Sequence, residues 1–218
     1  MGLKQDALDF IFKCIDTVFN SYQDVEMLEL GNQKVKLSGN RQIAKSYFEK
    51  LGFKHTSFDI NGKDGALPID LSKTIENKEF HNKFDVVTNS GTSEHVEPYD
   101  GQYECFRNMH LCNKVGGIMI HIVPEDGSFP NHCPYYYTIE FFEKLAKYNK
   151  YNTIEISRLQ RGENVLITAG LIKTENIPFC SNKDELLENI IQKPCSRKTR
   201  KGVIRNLKNF NLSKSKKE

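Results

Sequence analysis

The chain has 218 residues, 38% hydrophobic and 27% charged, with a formal net charge of +3. That size and balance describe a folded domain with a sizeable core and exclude a disordered polyelectrolyte. A membrane-spanning chain is excluded as well, since no apolar run approaches the roughly 20 residues that a bilayer crossing needs.

Met1 to Phe12 sets Lys4, Asp6 and Asp9 among its apolar residues, unlike a secretory leader, so the reading is of a cytoplasmic protein. Leu8, Ile11, Phe12, Ile15, Val18 and Phe19 recur at a helical period and predict a helix over Asp6–Asn20. Val25–Leu30 reads as a buried strand ended by Gly31. Gln42–Leu51 is a helix stopped by Gly52, and Phe53–Ile60 a second strand before the Asn61-Gly62 turn. Ala66–Leu71 reads as a short third strand and Phe84–Asn89 as a fourth. A helix over Tyr99–Asn113 then leads through Gly116-Gly117 to a fifth strand, Ile118–Val123. Thr138–Lys150 is helical, with Ile139, Phe142, Leu145 and Ala146 as its apolar face. Thr153–Leu159 and Asn164–Lys173 are strands joined by a tight turn. Alternating strands and helices closed by a hairpin predict an α/β fold, a doubly wound, mostly parallel sheet with a C-terminal antiparallel edge. Residues 1–180 form this domain and 181–218 an extension.

The extension is basic from Lys193 on, with ten Lys/Arg and a single acid, Glu218; the rest of the chain holds 21 of the 31 basic and 27 of the 28 acidic residues. Such a segment is either a solvated end or a contact for phosphate, on nucleic acid or on a nucleotide-linked substrate. The six cysteines show no C-x-x-C spacing, which argues against a zinc knuckle or a disulfide framework and leaves them as small core residues.

In such sheets ligands bind beyond the carboxyl ends of the strands. The first strand ends Glu29-Leu-Gly31-Asn-Gln33, where glycine permits a tight turn and close backbone approach. Asp59 ends the second strand, where a carboxylate suits ribose hydroxyls or, equally, caps its own turn; Asp70 faces an adenine amino group or caps the segment after it. The fourth strand runs into Asn89-Ser-Gly-Thr-Ser-Glu94-His95, whose acid and imidazole suit acid/base work or metal binding. His121, inside the fifth strand, reads as a core histidine, whereas His132 lies in an irregular loop beyond it.

Together these residues resemble the class I S-adenosylmethionine (SAM)-dependent methyltransferases over about Val25 to Lys173. Glu29-Leu-Gly31 is similar to their first motif, and Asp59 to their ribose-binding acid. Phe84-Asp-Val-Val with Glu94-His95-Val96 resembles the F-D-x-V…E-H-V pattern of ubiquinone-biosynthesis-like O-methyltransferases, and Leu111–Ile120 their L-x-x-G-G approach to strand five. The resemblance implies SAM as cofactor, held by Glu29, Gly31, Asn32, Asp59, Asp70 and Asn89. It implies an acceptor end made of Glu94, His95 and His132 as catalytic residues. Some relatives, including small-RNA 2′-O-methyltransferases, hold a divalent cation through E-x-x-E-H and a further histidine. Here Glu94, His95 and His132 are the corresponding donors, while Gly91 stands in place of the first Glu.

Asn32 and Gln33 stand where the family's further glycines would be, and only six residues separate Asp59 from Ala66, too few for a crossover helix. The expected reaction is O-methylation of a small polar or anionic acceptor, such as a sugar or a sugar- or nucleotide-linked intermediate of surface-glycan synthesis. An RNA methyltransferase gripping phosphates through the basic end, and a catalytically silent SAM-binding scaffold, are the alternatives.

Overall fold

The computed structural model describes residues 2–194. Its first helix, α1 (Gln5–Val18), buries the stripe Ala7, Leu8, Phe10, Ile11, Cys14 and Ile15. Strand β1 (Glu26–Leu30) is followed by an antiparallel hairpin of β2 (Lys34–Leu37) and β3 (Asn40–Ile43). That hairpin turns on Ser38 and Gly39, both left-handed at φ 44° and 80°, the backbone that two-residue hairpin loops require. Next come α2 (Ala44–Lys50), β4 (Lys54–Phe58), β5 (Phe84–Ser90), a 3-10 turn at Ser93–His95, α3 (Tyr99–Cys112) and β6 (Asn113–Pro124). The chain ends through β7 (Tyr135–Tyr136), α4 (Ile139–Tyr148), β8 (Tyr151–Arg161), β9 (Asn164–Lys173), α5 (Lys183–Leu187) and β10 (Ile191–Gln192).

Six strands form the central sheet in the order β4-β1-β5-β6-β9-β8. β4, β1, β5 and β6 pair in parallel, and β9 pairs antiparallel with both β6 and β8. The expected doubly wound sheet with its C-terminal hairpin is therefore present. Its antiparallel strand lies inside, however, and β8 at the edge runs parallel to the body.

Alternate residues of each strand feed two cores. Leu28, Leu30, Val87 and Met119 pack with Phe106 and Met109 of α3 and Phe141, Phe142 and Leu145 of α4. Met27, Val86, Ile118 and Ile120 pack on the other face with Leu8, Ile11 and Ile15 of α1 and Phe48 of α2. Burial on both faces explains why these strands read as continuous apolar runs.

Ala66–Leu71, expected as a third strand, is not one. A single parallel bridge, Phe58↔Leu67, is all the pairing it makes, because the short link from β4 cannot cross the sheet to lay down a new parallel strand. The helix expected from Gln42 begins at Ala44, since β3 takes the residues before it. The extension does not leave the body at residue 181: β10 pairs antiparallel with β7, and Tyr99 of α3 donates its hydroxyl to the Leu187 carbonyl at 2.5 Å. The basic stretch beyond Pro194 lies outside the described residues. Among those described, no helix is long and apolar enough to cross a membrane. Cys14, Cys105, Cys112 and Cys133 are buried and Cys180 is half-buried, and none of these five is in a disulfide.

Candidate active site

The carboxyl ends of β1, β5 and β6 lie side by side, so the loops after them share one edge of the sheet. Gly31 closes β1 with φ 81°, and its N–H donates to the Phe58 carbonyl at 2.7 Å. A Cβ here would lie 2.3 Å from Thr92 Oγ1 and 2.9 Å from Gln33 Nε2, so the chain's own side chains require the glycine. Thr92 Oγ1 donates to the Leu30 carbonyl at 2.7 Å and accepts from Gln33 Nε2 at 3.2 Å, latching the loop after β1 to the loop after β5.

Asn32 and Asp59 come together in the loops that follow β1 and β4. The Asp59 carboxylate accepts the N–H groups of Asn32 and Asn61, both at 2.9 Å, and the Asn32 amide donates to the Lys63 carbonyl at 2.9 Å. A carboxylate has about four acceptor positions, so two remain on this half-buried group.

Three other residues expected against the cofactor are placed differently. Glu29 is 2% exposed and lies under the loop, where one oxygen accepts the Gln33 N–H at 3.2 Å and the other has no partner. Burial pushes its carboxyl up to about 8. Asp70 caps its own segment, accepting the Ser72 N–H and hydroxyl at 3.1 and 2.6 Å and pairing with Lys73. Asn89 is fully buried, and its amide is committed to the Ser93 N–H at 3.1 Å and the Ser93 hydroxyl at 2.9 Å, with His121 beyond. His121 is a core residue packed on Phe106 and Phe142, as expected.

Glu94, His95 and His132 converge. One donor atom from each lies within 4.8 Å of the others, His95 Nε2 is 4.0 Å from Glu94 Oε1, and the two imidazoles meet edge to face at 5.2 Å. Glu94 is wholly buried, yet neither carboxylate oxygen has a hydrogen-bond partner, and His132 Nε2 has none either. Unpaired buried polar atoms are costly, and three in one place point to something they are built to meet. Burial pushes Glu94 up to about 7 and His95 down to about 4, the latter helped by the neighbouring His132; burial also lowers His132. Both imidazoles are therefore neutral at pH 7. A carboxyl raised to about 7 beside two neutral imidazoles can take up a proton near neutral pH, and in its ionised form it completes a hard-to-borderline donor set for a divalent cation.

The residues that hold this cluster were not read from the sequence. Gln102 of α3 donates from Nε2 to both the Ser93 and Val96 carbonyls, at 2.8 and 2.7 Å, spanning the 3-10 turn that carries Glu94 and His95. The Tyr137 hydroxyl sits 2.7 Å from both Ser93 Oγ and Gln102 Oε1. The signal that would have found Gln102 is its place on the apolar stripe of α3, with Cys105, Phe106 and Met109. A cleft of about 540 Å³ is walled by Glu97–Tyr99, Pro134–Tyr135 and Gln192–Pro194, and none of the three cluster residues lines it.

No family model and no curated protein sequence matches the chain. Solved structures do. The N-methyltransferase NodS from Bradyrhizobium japonicum, in complex with S-adenosyl-L-homocysteine (SAH), superposes with a TM-score of 0.54 at 11% identity, over 79% of this chain and 89% of that one. A SAM-dependent methyltransferase from Archaeoglobus fulgidus gives 0.51 at 13% identity, over 76% and 94%. A TehB-like SAM-dependent methyltransferase from Corynebacterium glutamicum gives 0.50 at 16% identity, over 74% and 85%. Sheet order, hairpin and structural neighbours agree: the chain has the Rossmann-like fold of the class I SAM-dependent methyltransferases.

Proposed function

We propose that this chain is a SAM-dependent methyltransferase acting on a hydroxyl oxygen of a small polar acceptor, such as a sugar or a sugar- or nucleotide-linked intermediate. The observation that carries the reading is the convergence of Glu94, His95 and His132 beyond β5 and β6, beside the loop that ends β1. The fold relatives include enzymes described with SAH bound, and the two open acceptor positions of Asp59 suit the ribose hydroxyls of such a ligand. SAM, when bound, supplies an electrophilic methyl group, so the protein needs no nucleophile of its own. NodS is described as an N-methyltransferase. An oxygen acceptor fits this chain better, because a neutral amine attacks unaided whereas a hydroxyl must lose a proton, and here a base cluster stands ready.

In this reading His95 or His132, each neutral, takes the acceptor proton while Glu94 orients the imidazole that receives it. A second reading uses the same three groups as ligands of a divalent cation, favoured by their open donor atoms within 4.8 Å. Such a cation would make the acceptor hydroxyl more acidic.

The test pairs calorimetry with SAH and transfer from labelled SAM to a panel of sugars, nucleotide sugars and RNA. His95→Ala and His132→Ala should lower turnover about 10²–10⁴-fold with SAH affinity retained. Restoration of chelator-treated enzyme by added divalent ions selects the cation reading. SAH binding with no transfer to any acceptor selects the silent scaffold, and transfer to RNA alone selects the nucleic-acid alternative. Unchanged turnover in both histidine variants would remove this cluster from the mechanism.

A further inference from the structure

Beneath the loop after β1 lies a second group of unpartnered buried polar atoms. Glu29 of β1 and His55 of β4 point to the same face of the sheet, with side chains 3% and 0% exposed. Glu29 Oε1 and both ring nitrogens of His55 have no hydrogen-bond partner, and His55 Nε2 stands 3.8 Å from Glu29 Oε2. Phe48 of α2 stacks on the imidazole with the ring planes 5° apart and fixes its orientation. The Lys45 ammonium is bonded to the His55 carbonyl at 2.8 Å rather than to the ring. A hydrogen bond between carboxyl and imidazole would partner Glu29 Oε2 with His55 Nε2, and it requires the two side chains to close by about 1 Å.

We propose that His55 is a positioning residue for the cofactor loop: it shares one proton with Glu29, and the locked Glu29 carboxyl holds the backbone of Gly31–Gln33 in its ligand-accepting shape. The mechanical link is the Gln33 N–H, which donates to Glu29 Oε2 at 3.2 Å. Oε2 is therefore the oxygen that both accepts this N–H and lies nearest His55 Nε2, so a hydrogen bond between the carboxyl and the imidazole fixes the oxygen from which the loop hangs. The charges that bear on the pair are Asp59, at the end of β4, and Lys45, on α2. On β5 the residue paired with Glu29 is the uncharged Thr88. Burial raises Glu29 to about 8 and lowers His55 to about 4, so near neutral pH the pair carries its one proton and no net charge. Above about pH 8 the carboxyl ionises, and the neutral imidazole then donates its own N–H from Nε2 to the carboxylate, so the anchor persists in both protonation states.

This inference rests on the proposed SAM site, and SAH, which needs no acceptor, is the probe. Calorimetry on the full chain at pH 6, 7.5 and 9 should show the wild-type affinity changing less than about three-fold, because the carboxyl–imidazole hydrogen bond is kept in either protonation state. His55→Phe keeps the ring on Phe48 but removes the nitrogens; it should bind SAH about ten-fold more weakly, most of all at pH 9, where the buried carboxylate is left without a donor. His55→Gln keeps a donor and an acceptor and should recover most of the affinity. Should His55→Phe fail to fold by circular dichroism, His55→Leu carries the same comparison. Wild-type affinity across the pH range in these apolar variants overturns this inference alone; absence of SAH binding to the wild-type chain overturns it together with the proposed cofactor.

Discussion

Replacing Glu29 by Gln removes one proton-binding group from the core and keeps its shape, so the consequence for stability follows from burial. The carboxyl is 2% exposed and is raised from an ordinary 4.5 to about 8, chiefly because desolvation disfavours its charged form. A group raised in the folded state binds its proton more tightly folded than unfolded. Its contribution is therefore complete below pH 4.5 and is lost as pH climbs toward 8. At about 1.4 kcal/mol for each pH unit the total across that window is on the order of 3–5 kcal/mol. His55 acts in the opposite sense: its value falls from 6.5 to about 4, so its contribution is present above pH 6.5 and lost as pH drops toward 4. Both proteins keep His55, so that effect largely cancels in the comparison. The amide introduced in place of the carboxyl would still accept the Gln33 N–H and has N–H groups to offer the imidazole. Urea denaturation of the two proteins at pH 5, 6.5 and 8 should show the Glu29→Gln chain gaining on the wild type steadily, by a few kcal/mol over the range. Parallel stability profiles would refute the reasoning, because they would mean that Glu29 is ionised and solvated in the folded protein.

Asp59→Ala should weaken SAH binding about 10- to 100-fold by calorimetry, since it removes charge-assisted hydrogen bonds at the ligand and frees the Asn32 backbone. Retained affinity would place the ribose elsewhere. Gly31→Ala should lower stability by at least about 1–2 kcal/mol from its left-handed backbone alone, with the Thr92 contact adding to this, and denaturation midpoints read it directly.

Elements were legible in the sequence where a local period or a strong stop signal decided them. α1, α3 and α4 follow the 3.6-residue spacing of their buried side chains, and β8 and β9 follow from the turn between them. Elements decided by distant partners were not legible. β2, Lys34-Val-Lys-Leu37, does alternate polar and apolar residues but over four positions only, and β3, Asn40-Arg-Gln-Ile43, shows no alternation, so the local signal is too short to mark a strand pair; bonds between Leu3 and the Lys34 and Lys36 backbone help fix β2. β7 and β10 are two residues each and exist because they meet each other. Ala66–Leu71 failed for the opposite reason: its composition suits a strand, but the link before it cannot reach a strand position.

The same distinction explains the site. Glu94, His95 and His132 could be expected to meet because β5 and β6 are neighbours, and residues just past neighbouring parallel strand ends face one crevice. Glu29 and Asn89 sit near the ends of β1 and β5 too, but a position at a strand end does not decide which side of the loop a side chain takes. Glu29 alternates with Leu28 and Leu30 and so shares the face of Met27, toward α1 and α2, which puts its carboxyl below the loop. Asn89 has a Ser93 N–H and hydroxyl within reach and turns inward to them. Asp70 has Ser72 two residues on, and a short carboxylate meets such a local partner before any ligand arrives. Asp59 holds its own loop and still keeps acceptor positions open. What separates a loop-holding acid from a ligand-holding one is thus the number of acceptor positions left after local bonding, a quantity set by backbone geometry several residues away.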